Sequence, residues 1–310
     1  MKTALVFPGQ GAQKVGMGQS LTENCAAARA VFEQADEALG MRLSSLCFAG
    51  PEEELRLTEN TQPAILATSI AALRCLEARG VRADFVAGHS LGEYSALVAA
   101  GALRFEDALR VVRQRGQFMQ EAVPAGEGAM AALLGMDVET VEAVCREAAE
   151  RGVCSPANLN SPNQVVIAGH KSAVEYAVTL AKQRGVRRAV MLAVSAPFHC
   201  ALMQPAAERL QPVLADTDFA DLHVPLITNV DAAIITSGDV ARAALVRQVA
   251  SPVRWSESVK RLLDEGVTRF VELGPGKVLS GLIKQVGPEA QILNVEDAPS
   301  LEATAASVGF

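Results

Sequence analysis

The chain has no uninterrupted apolar run approaching the ~18 residues of a membrane-spanning helix, so a transmembrane protein is not expected. Histidine is scarce, four in 310 residues, which leaves few choices for an imidazole base. The six cysteines (Cys25, Cys47, Cys75, Cys145, Cys154, Cys200) are scattered, with no Cys-x-x-Cys and no metal-ligand spacing. They read as small buried apolar side chains in a reducing compartment, and no metal is expected. Positive charge is in deficit: 28 Lys and Arg against 35 Asp and Glu leave −7, which argues against a nucleic-acid surface but permits a local basic patch. Internal repeats and low-complexity linkers are absent. The opening MKTALVFPGQG reads as a strand that turns at once rather than an apolar or Arg-rich leader, so a soluble, cytoplasmic chain is expected. What is present is 50% hydrophobic residues, enough for one large core or a main domain with a smaller companion.

Strand and helix patterns alternate. Strands are expected at 3–7 and 84–88, and helices at 25–39, 62–80 (with a proline near its first turn), 91–101 and 105–123. The helix at 91–101 is apolar nearly all round and should be buried. Such alternation predicts a mostly parallel sheet covered on both faces. From about residue 126 the order becomes strand, helix, strand, strand, helix, strand, which predicts an inserted ferredoxin-like βαββαβ module over 126–195. The large α/β domain then comprises 1–125 and 196–310. After the insert it continues with a helix at 201–215, a strand at 224–230, a helix at 255–266, a strand at 269–274 and a last helix from Val278.

Residues 84–94, DFVAGHSLGEY, carry the clearest chemical signal. Gly88-x-Ser90-x-Gly92 lies between an expected strand and an expected helix, the setting of a nucleophile elbow; the alternative is a serine N-cap between chance glycines. The helix N-terminus favours a developing oxyanion, and the Leu91 N–H is placed to donate to it. A serine nucleophile needs a base. His89 adjoins it and should point away, whereas His170 and His223 read as loop residues beside strands. His199, in SAPFHC on the return from the insert, is favoured because segments between domains line clefts. Arg115 falls inside the apolar stripe of its helix with no acid on that stripe. Either a carboxylate from another element pairs it structurally, or a ligand carboxylate does so. FPGQGAQ (7–13) lets the backbone approach closely, as a second oxyanion donor requires, or is a plain Pro-Gly turn. It matches no phosphate-binding or dinucleotide fingerprint.

Taken together, FPGQGAQ, TQPA (61–64), GHSLGE (88–93), RQRGQFMQ (113–120), NSPNQVVIAG (160–169), SAPFH (195–199), QVASPVRW (248–255) and ELGPGKVL (272–279) resemble the malonyl-CoA:acyl carrier protein transacylase family of fatty acid and polyketide synthesis, across nearly the whole chain. The resemblance implies an α/β-hydrolase-like large domain and a ping-pong transfer of malonyl from coenzyme A, through Ser90, to the pantetheine thiol of a carrier protein. It implies His199 as base, oriented by a backbone carbonyl from the loop at Gln248, and an oxyanion hole from the N–H groups of Gln10 and Leu91. Arg115 would grip the malonyl carboxylate, and Phe198 would exclude a branched acyl group. Asn160, Gln164, Arg187 and Arg188 would contact pantetheine, phosphates or the carrier. The coenzyme A thioester is substrate, with no bound cofactor. An acidic carrier would meet a basic surface at Lys171, Lys182, Arg184, Arg187 and Arg188. A serine esterase and a non-catalytic carrier-docking module are the alternatives. The missing HGGG-type donor loop and the buried arginine count against the first, and the intact Ser90, His199 and Arg115 against the second.

Overall fold

A computed structural model describes residues 1–194 and 196–308. The chain forms two sheets. The larger has β1 (Lys2–Phe7), β2 (Phe85–Gly88), β7 (Leu226–Ile227), β8 (Ile234–Ile235), β9 (Val267–Leu273) and β10 (Gln291–Val295), in the order β10-β9-β1-β2-β7-β8. Every pairing in it is parallel except β7 with β8. The smaller has β3 (Gly128–Leu134), β4 (Cys154–Ser161), β5 (Gln164–His170) and β6 (Arg188–Met191), in the order β4-β5-β3-β6, all antiparallel.

The central strand explains why the large sheet is covered on both faces. Five of the six residues of β1 are buried, so the strand reads as a continuous apolar run rather than an alternating one. Alternation still decides the direction. Leu5 and Phe7 join the core under the helices Ala26–Leu39 and Thr58–Glu77, whereas Ala4 and Val6 join a second core with Trp255, Val259, Leu279 and Ile283. The small sheet divides likewise. Ala131 and Leu133 pack under the helices Val138–Ala148 and Lys171–Gln183, and Met130 and Ala132 face the main core. Edge strand β4 is tied to the large part of the chain: Leu159 N–H donates to Val253 O and Val253 N–H to Ala157 O, both at 2.9 Å.

Several elements differ from expectation. The helix expected at 62–80 runs Thr58–Glu77, with Pro63 at its sixth position rather than at its start. The five residues ahead of the proline are polar and four of them are buried (Thr58, Asn60, Thr61 and Gln62), so they lack the apolar pattern that marks a helix. Val278 opens a helix (Val278–Val286) that is not the last, since β10 and the helix Ala298–Val308 follow. The strand expected over 224–230 shrinks to Leu226–Ile227, and the helix Gly238–Gln248 had no counterpart. Cys25 and Cys75 are joined by a disulfide with Cα atoms 6.3 Å apart, because packing of the two helices brings together residues 50 positions apart. The expectation for the cysteines therefore fails at this pair, while Cys47, Cys145, Cys154 and Cys200 are free and buried. Ser195, the first residue of the SAPFH motif, lies outside the described residues. No helix is long and apolar enough to cross a membrane among those described.

Candidate active site

Ser90 sits where β2 turns into the helix Gly92–Ala99, and its φ of +51° is one that L-residues with side chains rarely adopt. The flanking glycines are a spatial necessity. A Cβ on Gly88 would lie 1.9 Å from the Gly92 carbonyl, and one on Gly92 would lie 2.0 Å from Phe7 O. The strand, the turn and β1 are packed backbone to backbone. Asn229, just past β7, holds the strained turn from outside: Ser90 N–H donates to its Oδ1 and its Nδ2 donates to Gly88 O, both at 2.6 Å.

His199 also has a positive φ, +61°, and is buried. Its Nε2 lies 2.7 Å from Ser90 Oγ. Its Nδ1 lies 3.0 Å from the carbonyl of Gln248, the last residue of the helix Gly238–Gln248. The orienting carbonyl is thus a helix C-terminal one, not a loop one. Such carbonyls lack an intrahelical partner and carry the negative end of the helix dipole. An acceptor there leaves the proton on Nδ1 and the Nε2 lone pair toward Ser90. Burial, and next the Arg115 guanidinium, pull the His199 pKa down to about 3, so the imidazole is neutral near pH 7.

Arg115 is 1% exposed in the helix Phe105–Glu121, and no carboxylate lies within ion-pair distance of it among the described residues. Instead Nη1 donates to Gln62 Oε1 at 2.8 Å, and Nη2 donates to Gln248 Oε1 at 2.9 Å and to Ser90 Oγ at 3.1 Å. Its Cζ lies 5.4 Å from the Tyr94 ring centre, and its Nε is buried without a partner. Burial lowers its pKa, against opposing contributions from Tyr94 and Glu93. A buried cation held only by neutral acceptors is short of one negative charge.

These groups open into a cavity of about 720 Å³ whose lining includes Gln10, His89, Ser90, Leu91, Arg115, Phe198 and His199. The backbone N–H groups of Gln10 and Leu91 have no hydrogen-bond partner among the described residues. Asn160, Gln164, Arg187 and Arg188 do not line this cavity. Asn160 is buried and its Oδ1 pairs with His89 Nε2 at 2.9 Å, which turns His89 away from Ser90 and toward Trp255. His170 Nδ1 accepts from Val153 N–H, and the ring of His223 packs on Gly101. Sequence reasoning missed Gln62, Glu93 and Asn229, which serve the site from three distant parts of the chain, and Arg56, which lines the mouth beside Glu52. A polar residue inside an apolar helix or strand pattern was the available signal for Gln62 and Asn229. No cluster of three or more His, Cys, Asp or Glu is placed to hold a metal ion among the described residues.

Residues 4–303 match the family model described as acyl transferase domain. A malonyl CoA-acyl carrier protein transacylase of Bacillus subtilis is 53% identical over 302 residues, 97% of this chain and 95% of that protein. Among solved structures, the malonyl CoA-acyl carrier protein transacylase of Coxiella burnetii superposes with a TM-score of 0.98 at 43% identity, covering 100% of this chain and 98% of that one. A malonyl-transacylase solved in complex with a type II polyketide synthase acyl-carrier protein gives a TM-score of 0.97 at 46% identity, covering 99% of this chain and 100% of its own.

Proposed function

This chain belongs to the malonyl CoA-acyl carrier protein transacylase family, and from that premise we propose that it moves malonyl from coenzyme A to the pantetheine thiol of an acyl carrier protein through a malonyl-Ser90 ester. The observation that carries the proposal is the convergence on one oxygen: Ser90 Oγ lies 2.7 Å from His199 Nε2 and 3.1 Å from Arg115 Nη2. A carboxylate bound to Arg115 places a carbonyl only two carbons further on against that oxygen, the spacing of a malonyl thioester. It also supplies the negative charge that the guanidinium lacks.

In the first half-reaction Ser90 Oγ attacks the thioester carbonyl as its proton passes to His199 Nε2. The tetrahedral oxyanion is held by the N–H groups of Gln10 and Leu91, at the positive end of the helix Gly92–Ala99. The C–S bond breaks, the proton on Nε2 goes to the leaving thiolate, and coenzyme A departs as the thiol. In the second half the carrier's pantetheine thiol gives its proton to Nε2 and attacks the ester, and Ser90 leaves with that proton. Gln248 O keeps the imidazole in one tautomer through both halves. No bound cofactor enters either half. Phe198, in the cavity wall next to the base, is the residue to limit branching at the acyl α-carbon.

The same proposal divides the chain into a hydrolase-like large domain, 1–125 and 196–310, and a ferredoxin-like insert, 126–195. The β-α-β-β-α-β order and the β4-β5-β3-β6 sheet support the latter. Cytoplasmic placement follows from the substrates. Mass spectrometry after brief exposure to malonyl-CoA tests the reaction. A malonyl adduct on Ser90, absent in Ser90→Ala and discharged by carrier protein, is expected. Rapid hydrolysis without a carrier would indicate an esterase, and no adduct would indicate a docking module.

A further inference from the structure

Glu93 is 1% exposed, one helical position past the elbow, and the chemistry above assigns it no task. Its Oε2 accepts from Gln248 Nε2 at 2.8 Å and from Asn229 N–H at 3.1 Å. Burial pushes its carboxyl up to about 7, while bonds from Gln248 and Asn229 and the nearby Arg115 pull the other way. A fully buried acid that makes no direct ion pair is costly unless its hydrogen bonds bring something in return.

The Gln248 amide gives that return a direction. Its Nε2 faces two acceptors, Glu93 Oε2 and Ser90 O, at 2.8 and 3.0 Å. Its Oε1 faces one donor, Arg115 Nη2, at 2.9 Å. Turned over, the amide would set its NH₂ against a guanidinium and its oxygen against a carboxylate and a carbonyl, losing all three bonds. The Glu93 carboxyl, together with Ser90 O, therefore fixes which end of the amide meets the arginine. The amide oxygen and Gln62 Oε1 in turn hold Arg115 with Nη2 beside the nucleophile.

We propose that Glu93 is a positioning residue that acts through Gln248 to hold Arg115 for an acyl carboxylate, so that the preference for a carboxylated acyl group depends on a side chain that never touches it. This deepens the transacylase reading and rests on it. A second arm, through Asn229 to the Ser90 turn, serves any acyl group. The two arms predict different losses. Cutting the Asn229 arm lowers loading of malonyl and acetyl alike, whereas cutting the Gln248 arm lowers malonyl only.

The test is acylation of Ser90 by malonyl-CoA and by acetyl-CoA, measured in wild type, Glu93→Gln and Glu93→Ala, alone and combined with Arg115→Ala. Hydrogen bonds to charged groups are worth enough that losing one changes a rate constant by about ten- to a hundredfold. Glu93→Ala is expected to lower the malonyl-to-acetyl ratio by about that factor, mainly through KM for malonyl-CoA. Glu93→Gln keeps the volume and one acceptor, so it should fold and fall between the two. With Arg115→Ala already present, Glu93→Ala should leave the ratio almost unmoved, because the arginine it positions is gone. A ratio unchanged in both Glu93 variants, or a Glu93 effect of full size in the Arg115→Ala background, overturns the proposal. Failure of the underlying reading looks different: the wild-type protein itself would carry no malonyl on Ser90.

Discussion

At the scale of single residues, the proposed base is one that burial has made weak. A fully accessible imidazole titrates near 6.5, whereas that of His199 is drawn to about 3 by desolvation first and the Arg115 charge second. The sign follows from counting protons. Between those values the unfolded chain binds a proton at His199 and the native protein does not, so native stability falls as pH drops through that window and levels off below it. His89, also lowered by burial, adds to the same slope. Glu93 runs the other way: its native carboxyl holds a proton up to about 7 against an ordinary 4.5, so its share of stability is lost as pH rises through that range. NMR titration should find His199 still neutral at pH 5. In Arg115→Ala its pKa should move upward, since one of the three depressing causes (burial, Arg115 and His89) is removed. An unmoved value would assign the shift to burial and His89 without Arg115.

At the scale of elements, the elbow is a contact between backbones as much as a turn. Gly92→Ala would drive a methyl group into Phe7 O, a carbonyl of the central strand that cannot swing aside. Overpacking typically costs about 1–3 kcal/mol, and more where backbone must move. Gly281, in the helix Val278–Val286, has open space at its Cβ position, so Gly281→Ala should instead stabilise by about 0.5–1 kcal/mol. Thermal unfolding of the two variants should separate in opposite directions, and similar shifts would mean the packing of Gly92 is not limiting. The strand, tight turn and buried helix around Ser90 were legible because their pattern is local: apolar run, small residues, apolar run. The Thr58–Glu77 helix was misjudged at its start because its first residues are polar yet buried, and periodicity cannot see burial that tertiary packing imposes. Strand β10 was missed because an edge strand of half-buried residues following a helix leaves only a faint pattern.

At the scale of the whole molecule, the two sheets meet around the cavity. Met130 on β3 and Leu192 just after β6 form one wall, and Ser90, Arg115 and His199 the other. Motif order along the chain singles out Ser90, His199 and Arg115, whose side chains the fold brings to one oxygen, Ser90 Oγ. It did not single out Glu93, Gln62 and Asn229, whose contacts with the site exist only once three distant segments are folded together. Arg187 and Arg188 stand at the far end of β6, which runs toward the cavity. About four residues separate Arg188 from Leu192, roughly 13 Å of strand. That distance takes both arginines away from the acyl group but leaves them free to meet a carrier protein. Both are exposed, and neither forms an ion pair among the described residues, whereas Arg184 is paired with Glu147. The net charge of −7 makes long-range approach of an acidic carrier unfavourable, so docking needs such a local patch. Replacing Arg187 and Arg188 with Glu should raise KM for the carrier several-fold and flatten its dependence on salt, since the attraction that salt screens would be gone. Formation of malonyl-Ser90 from malonyl-CoA should suffer less, since neither side chain lines the cavity, except for whatever Arg188 contributes to holding coenzyme A. If discharge to the carrier is unchanged across a range of ionic strength, the carrier docks on another face. Arg56 at the mouth is then the next cation to reverse, since it lines the cavity and is neutralised only by a solvent-exposed partner, Glu52.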